Sequence, residues 1–220
     1  MQFIIPINMK RKGFFIVVDG PSASGKDSII KQILKDLSRL GIKAISVEET
    51  KEKNYDGKKI LAAKQHGDQE VARAIINQRE KLYQTKIIPQ LLSGTLVIAN
   101  RGEPTTLSYQ TLNREITMDT IWDMHRNKSI PLPDLVVVTN CSVKEAIRRE
   151  SLRKLSKEEK DKSFMSGKFT TDDRKLIHAN YQNVKKFLEK KGLDVIYLST
   201  DTMNVPQESR RILRFIKKYL

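Results

Sequence analysis

The chain has 220 residues, of which 39% are hydrophobic and 30% are charged. This length suits one globular domain with a full core, and the lack of about 18 consecutive apolar residues excludes a transmembrane helix. The net charge of +15 fits polyanionic partners, but aromatic residues are sparse where lysine and arginine are dense, so the pattern does not favour nucleic-acid binding.

The first residues place a short apolar run before a basic one, which is the reverse of a secretory signal. We interpret residues 1–12 as an N-terminal extension, with either Met1 or Met9 as the start. The single cysteine, Cys141, cannot form an internal disulfide, so a reducing cytoplasm is the expected location.

Short apolar, β-branched runs alternate with segments of helical periodicity along the rest of the chain. The predicted strands are 13–18, 43–47, 95–99, 134–140 and 194–199. The predicted helices are 26–40, 68–92, 105–112, 118–126, 143–155, 172–191 and 207–220. This alternation predicts a three-layer α/β fold in which helices cover both faces of a five-stranded parallel sheet.

The junction between the first strand and the first helix reads GPSASGK, residues 20–26. Glycine, four residues, then Gly-Lys in this position is the phosphate loop of the P-loop NTPase fold, whose amides and helix N-terminus surround a nucleotide's phosphates. We therefore predict that ATP binds to the loop and the first helical turn. The predicted ATP-binding residues are Gly20, Ser22, Ala23, Ser24, Gly25, Lys26, Asp27 and Ser28.

Asp27 stands directly after the loop lysine, where Ser or Thr usually supplies a hydroxyl to Mg²⁺. Its carboxylate could simply stabilise the N-terminus of the helix, or it could act as a metal ligand. Ser28 offers a hydroxyl one residue later. We predict that Asp27 and Ser28 hold Mg²⁺, with the two interpretations of Asp27 left open.

The segment 89–110, PQLLSGTLVIANRGEPTTLSYQ, resembles the thymidylate kinase family in its Asn-Arg pair, its Thr-Thr pair and its Ser-Tyr-Gln. Thr50-Lys51-Glu52 and Asn77-Gln78-Arg79 are similar to two further segments of that family. PDLVVVTN, KEAIRRESLR and DDRKLIHANYQNV resemble its fourth strand and the helices before and after a lid. The resemblance extends over nearly the whole chain from about residue 13.

This resemblance implies transfer of the γ-phosphate of ATP to a nucleoside monophosphate, with dTMP the leading acceptor and Mg²⁺ the metal. It implies a single kinase domain over residues 13–220, with a lid at about 150–171, and a homodimer is plausible for the family. The implied catalytic residues are Lys26, Arg101, Arg149 and Arg153. The implied acceptor-binding residues are Lys51, Arg79, Arg101, Thr106, Tyr109 and Gln110.

Several positions depart from the family pattern. Asn100 stands where the family has an acid before the arginine, Gly102 replaces a bulky residue, and Ile75 replaces a ring that stacks on the acceptor base. Two alternatives therefore stay open. The chain could be a related phosphotransferase that acts on another nucleotide or a (deoxy)nucleoside, or a nucleotide-binding regulator with weakened catalysis.

Overall fold

The computed structural model describes residues 12–52, 55–155 and 169–218, and describes no side chains for residues 153–155. The predicted N-terminal extension therefore lies outside the described residues apart from its last residue. Of the predicted lid at about 150–171, residues 156–168 also lie outside the described residues.

Five parallel strands form one sheet, as predicted, and the structure gives their order as β2-β3-β1-β4-β5. The three central strands are buried along their whole length, because they have neighbours on both sides and helices on both faces. The strands are β1 Phe15–Asp19, β2 Ala44–Glu48, β3 Leu96–Asn100, β4 Leu135–Asn140 and β5 Val195–Ser199.

The helices of the described chain follow the predicted order, with one addition. They are α1 Lys26–Arg39, α2 Gly57–Ala63, α3 Asp68–Leu82, α4 Ile88–Leu92, α5 Glu103–Gln110, α6 Met118–Arg126, α7 Val143–Leu155, α8 Thr171–Lys190 and α9 Val205–Ile216. A π-helical turn, Tyr83–Ile87, joins α3 to α4, so the predicted helix 68–92 is one continuous helical stretch. None of the helices among the described residues has the length and apolar character needed to cross a bilayer.

Helix α2 was not predicted, because its residues follow a polar loop and its first residue is Gly57, a weak helix former. The structure shows what begins it: the side chain of Asp56 accepts a hydrogen bond from the backbone amide of Lys59 at 3.0 Å. This N-cap satisfies one of the amides that a helix start leaves unpaired.

Two apolar layers enclose the sheet. On one face, α1 and α9 pack through side chains such as Ile33 and Ile212 against Ile16 and Val18 of β1. On the other face, α3, α5 and α8 pack over the same strands. The resulting three-layer arrangement leaves the carboxyl ends of the strands open between the helices.

The carboxyl ends of β1, β2 and β3 lie side by side at one edge of the sheet. In the parallel register Asn100 pairs with Glu48 on one side and with Val18, the neighbour of Asp19, on the other. Polar residues at these strand ends therefore meet, and ligands of open α/β sheets bind at this edge.

Replacement of Ile33 by Ala tests the packing of α1 on the sheet. Ile33 is fully buried, so we expect a loss of about 2–5 kcal/mol in the free energy of unfolding. Urea denaturation measures this loss. Leu61→Ala on α2 is the control: that side chain is exposed, and its change should stay within about 0.5 kcal/mol.

Candidate active site

The phosphate loop connects β1 to α1 through left-handed backbone conformations. Gly20 has φ +150° and Gly25 has φ +91°, which L side chains rarely adopt. A Cβ on Gly20 would also lie 2.0 Å from the carbonyl oxygen of Thr139. Lys26 Nζ donates to the carbonyl oxygens of Gly20 at 2.9 Å and Pro21 at 2.7 Å. The loop lysine thus lies within the curve of the loop, where a phosphate chain would bind.

Side chains from β4, α7 and the end of β5 support this loop from outside. Ser24 Oγ lies 2.7 Å from Thr139 Oγ1, and Thr200 Oγ1 donates to the carbonyl oxygen of Ser24 at 2.9 Å. Arg149 Nη1 donates to the carbonyl oxygen of Ala23 at 3.1 Å and to Thr200 Oγ1 at 2.9 Å. The conformation of the loop therefore depends on contacts well beyond the motif.

Arg149, one of the predicted catalytic residues, contacts the chain next to the phosphate loop. Its Nε donates to Glu145 Oε1 at 2.7 Å, and its guanidinium also donates to the carbonyl oxygen of Ala23 and to Thr200. These contacts make Arg149 a residue that positions the loop. The side chain of Arg153, the second predicted lid arginine, lies outside the described residues.

The carboxylate of Asp19, at the end of β1, is fully buried and accepts hydrogen bonds from three parts of the chain. Its oxygens accept from the amides of Gly20 at 2.6 Å, Gly102 at 2.9 Å and Thr105 at 2.9 Å. They also accept from Thr105 Oγ1 at 2.7 Å and from the Tyr181 hydroxyl at 3.0 Å. Asp19 thus connects the phosphate loop to the turn before α5 and to α8.

At Gly102 the turn before α5 approaches β1 closely. A Cβ at position 102 would lie 2.8 Å from Val17 Cγ1, so only glycine lets the turn reach β1. The sequence indicated only that Asp19 borders the loop. Its role depends on residues more than 80 positions away in the chain, which no local pattern reveals.

A pocket opens next to the phosphate loop, and Pro21 and Ser22 of the loop form part of its wall. Predicted acceptor residues that line it are Arg79, Arg101, Tyr109 and Gln110. Two other predicted acceptor residues are not among its lining residues. Lys51 is exposed, with its Nζ 3.0 Å from a carboxylate oxygen of Glu48, and Thr106 is buried behind the pocket.

Arg101 lies in the pocket wall with a backbone conformation that is unusual for arginine. Its φ is +79°, a conformation that costs a non-glycine residue about 1–3 kcal/mol and often marks a functional site. Burial opposes the charge of the guanidinium, but the nearby Tyr109 and Asp19 raise the pKa of Arg101 above its ordinary value. The side chain therefore presents a permanent positive charge in the pocket.

Arg79, another predicted acceptor-binding residue of the pocket, already has partners within the chain. It is fully buried, and its Nε and Nη2 donate to the two carboxylate oxygens of Glu49 at 2.8 and 3.0 Å. Its Nη1 donates to Thr106 Oγ1 at 3.0 Å. Because Glu49 neutralises Arg79, this pair shapes the pocket wall without adding net positive charge.

Behind Arg79 lies His125, which the sequence gave no reason to single out. Its Nε2 is 3.1 Å from Arg79 Nη1, and burial, assisted by that guanidinium, holds the pKa of His125 well below its ordinary value. The ring is therefore neutral at pH 7, and its Nε2 accepts from Arg79. The buried Glu103 carboxylate is 3.9 Å from His125 Nδ1, and burial raises the pKa of Glu103.

Aromatic rings line the pocket although α3 has Ile75 where the family has a stacking ring. Tyr109 on α5 and Phe169, just before α8, have ring centroids 5.7 Å apart at an interplanar angle of 54°. Tyr55 also lines the pocket. Phe169 was not predicted, because it follows a charged segment whose composition indicates only a loop.

A polar cluster lies where α1 approaches the ends of β2 and β3. Asn100 Nδ2 donates to Asp27 Oδ1 at 3.0 Å and contacts Glu48 Oε2 at 3.4 Å. Ser28, predicted as the metal-binding hydroxyl, is exposed and is not part of this cluster. Of the two predicted metal residues, Asp27 is the one that the structure brings to other oxygen-bearing side chains.

Comparison with known proteins gives one consistent family. The family model for thymidylate kinase matches residues 18–192. A thymidylate kinase of Leptospira borgpetersenii is 30% identical over 67% of this chain and 73% of its own length. A thymidylate kinase of Leptospira interrogans is 28% identical over 67% of this chain and 74% of its own length. A probable thymidylate kinase of Pyrococcus horikoshii is 27% identical over 64% of this chain and 72% of its own length.

Replacement of Asp19 by Asn tests its role in joining the loop, the turn and α8. The amide has one acceptor oxygen instead of two, so several buried donors lose their partner. We expect the free energy of unfolding to fall by about 3 kcal/mol or more. Asp119→Asn is the control, since Asp119 is an exposed surface carboxylate paired with Lys191, and its denaturation midpoint should hardly move.

His125→Gln tests the neutral buried histidine through pH. Below about pH 6.5 the unfolded chain takes up a proton at this histidine, whereas the folded chain does not, so stability falls as pH decreases. Through this histidine, the free energy of unfolding of the wild type should fall by up to about 1.4 kcal/mol for each unit of decrease in pH. Urea denaturation from pH 7.5 to 5 should show that the free energy of unfolding of His125→Gln falls less with pH than that of the wild type. The exposed His66→Gln is the control, and its free energy of unfolding should fall as much as that of the wild type. Equal slopes for the wild type and His125→Gln would contradict the assignment.

Proposed function

We propose that this chain, a nucleotide kinase that belongs to the thymidylate kinase family, transfers the γ-phosphate of ATP to dTMP, with dTDP and ADP as products. The observation that best supports this proposal is that the phosphate loop and the pocket share a wall, formed by Pro21 and Ser22. A phosphate chain on the loop and a nucleotide in the pocket would therefore meet.

Two positive charges of the chain suit the two phosphates. Lys26 lies inside the loop and would bind the β- and γ-phosphates of ATP, together with the loop amides. Arg101 would bind the acceptor phosphate from the pocket wall. Phosphoryl transfer depends on positioning and on charge stabilisation of the transferred group, which these residues would supply.

The remaining pocket residues would hold the acceptor's base. Tyr109 and Phe169 offer ring faces for stacking, which contributes about 1–3 kcal/mol per base in nucleic-acid complexes. Gln110 is buried, and its Oε1 has no hydrogen-bond partner among the described residues. This oxygen would accept a hydrogen bond from a ring N–H such as that of thymine, which adenine and cytosine lack at the corresponding edge.

ATP would bind with Mg²⁺, which neutralises charge on the phosphate oxygens when bound. The oxygen-bearing side chains next to the phosphate loop, Asp27 first among them, fit a hard divalent cation. Asp19 would not contribute, because its oxygens already accept hydrogen bonds from backbone and side-chain donors.

The acceptor is tested by measuring ADP release from ATP and Mg²⁺ with dTMP, dUMP, the other nucleoside monophosphates and free thymidine. We expect dTMP to give the largest kcat/KM. A larger value for a free nucleoside or another base would assign the chain to the alternative acceptor class. If ATP binds but no acceptor stimulates ADP release, the result would support a nucleotide-binding regulator and contradict the proposed reaction.

Substitutions separate the two phosphate sites. Lys26→Ala should lower kcat by about 100-fold or more, because it removes the positive charge that stabilises the transferred phosphoryl group. Arg101→Ala should chiefly raise the KM for dTMP, by roughly 10-fold or more, and leave the KM for ATP nearly unchanged. Arg73→Ala is the control, since Arg73 is exposed on α3 and paired with Glu70. An unchanged acceptor KM in Arg101→Ala would remove Arg101 from the site.

A further inference from the structure

His178 is a buried titratable residue of the pocket, and the proposed reaction does not use it. It lies on α8, is only 8% exposed, and lines the pocket together with Pro21 and Ser22 of the phosphate loop. The chain has three histidines, and His178 is the one that lines this pocket. An imidazole, which gains or loses a positive charge near neutral pH, therefore lies where the phosphate loop meets the pocket.

The ring and the backbone of His178 are both fixed to the end of β4. Nδ1 of the ring is 2.8 Å from the carbonyl oxygen of Cys141, and the carbonyl oxygen of His178 accepts from Asn140 Nδ2 at 2.8 Å. Cys141 in turn contacts the phosphate loop, with its Sγ 3.9 Å from the carbonyl oxygen of Ala23. His178 is thus connected to the phosphate loop through a single residue.

The bond to Cys141 determines which nitrogen of the ring is available to a ligand. A carbonyl oxygen only accepts, so Nδ1 carries a hydrogen and donates it, and the neutral ring has its lone pair at Nε2. Nε2 has no hydrogen-bond partner among the described residues, and it is not enclosed by other atoms. The edge of the ring that carries Nε2 is therefore the edge that is open to the pocket.

The surroundings of His178 oppose a positive charge on the ring. Burial, assisted by the charges of Arg174 on α8 and Lys26 on α1, lowers the pKa of His178 below its ordinary value. The Cys141 carbonyl and Glu150 on α7 act in the opposite direction but do not outweigh burial. Arg174 Nη2 is 2.9 Å from Glu150 Oε2, so those two charges largely cancel, and burial raises the pKa of the Cys141 thiol, which stays neutral. Lys26 is therefore the main charge against protonation.

A bound phosphate chain would reverse this balance, because it brings several negative charges beside Lys26 and a nearby negative charge favours protonated histidine. We propose that His178 is a phosphate-binding residue: when a nucleotide's phosphates occupy the loop, Nε2 takes up a proton from solvent and donates a hydrogen bond to a phosphate oxygen. Nδ1 keeps its hydrogen on the Cys141 carbonyl, so the ring gains one positive charge without turning. The proposal rests on the proposed function only in that a nucleotide occupies the loop.

Nucleotide affinity should then depend on pH through His178. The pKa of this histidine is higher with the nucleotide bound than without it, so the gain in affinity is complete below the lower value and is lost as pH rises through the higher one. The lower value lies below 6.5, the ordinary value for histidine. The gain from His178 should therefore be large near pH 6 and small above about pH 8.

NMR of the histidine rings in the wild-type chain measures this proton directly. Chain labelled with ¹³C at histidine Cε1 is titrated from about pH 5 to 9 with and without ADP and Mg²⁺. The variants His66→Asn and His125→Gln assign two of the three signals, so no variant of His178 is needed. We expect ADP to raise the pKa of His178 by about one pH unit or more and to leave that of the exposed His66 unchanged. An unchanged or lower pKa of His178 with ADP bound would overturn the proposal.

The variant His178→Asn tests the effect on affinity. Its amide nitrogen can replace Nδ1 at the Cys141 carbonyl, but it has no counterpart of Nε2. Isothermal titration calorimetry should show that it binds ADP with Mg²⁺ about 3- to 10-fold more weakly than the wild type at pH 6, and within about 2-fold of the wild type at pH 8.5. His66→Asn is the matched control and should bind like the wild type at both pH values.

A purely structural role of His178 would weaken ADP binding equally at both pH values, and that result would contradict the proposal, as would wild-type affinity at pH 6. Thermal unfolding checks that His178→Asn folds. If it does not fold, the NMR titration of the wild type decides alone.

These outcomes are independent of the acceptor. If ADP raises the pKa of His178 but the chain transfers no phosphate to dTMP, the proposed function fails and the role of His178 stands. If the chain phosphorylates dTMP while ADP leaves the pKa of His178 unchanged, the function stands and the role of His178 fails. A chain that binds no ADP would contradict both.

Discussion

The buried carboxylate of Asp19 is the constraint on which the arrangement of the phosphate loop and the adjacent pocket depends. A buried charge is tolerated only when it is well hydrogen-bonded, and Asp19 accepts from Gly20, Gly102, Thr105 and Tyr181. Those partners belong to the phosphate loop, to the turn after Arg101 and to the helix that follows the predicted lid. The phosphate loop, the pocket wall at Arg101 and α8 are therefore fixed to a single point at the end of β1.

The sheet and the phosphate loop could be predicted because their signals are local. Continuous β-branched runs indicate buried parallel strands, and a Gly-Lys motif between strand and helix specifies the loop without any distant contact. Helix α2 was missed because its start depends on a side-chain cap rather than on apolar periodicity. The resemblance of the Asn-Arg segment identified the family, which the match over residues 18–192 confirms.

Whether a partner neutralises each charged side chain of the site could not be predicted, because the partners are far away in sequence. Arg79 and Arg101 are both arginines beside a predicted pocket, yet Glu49, 30 residues from Arg79, neutralises only the first. Asp27 and Asn100 are each unusual alone, and only their contact at 3.0 Å shows that the two departures belong together.

Amide hydrogen exchange tests most directly whether Asp19 joins the phosphate loop to the turn before α5. In the wild type the amides of Gly20, Gly102 and Thr105 should exchange slowly and at similar rates, since they share one buried acceptor. In Asp19→Asn all three should exchange faster, while core amides of β4 keep their protection relative to global unfolding. Unrelated rates for the three amides in the wild type, or unchanged rates in the variant, would contradict the central role of Asp19.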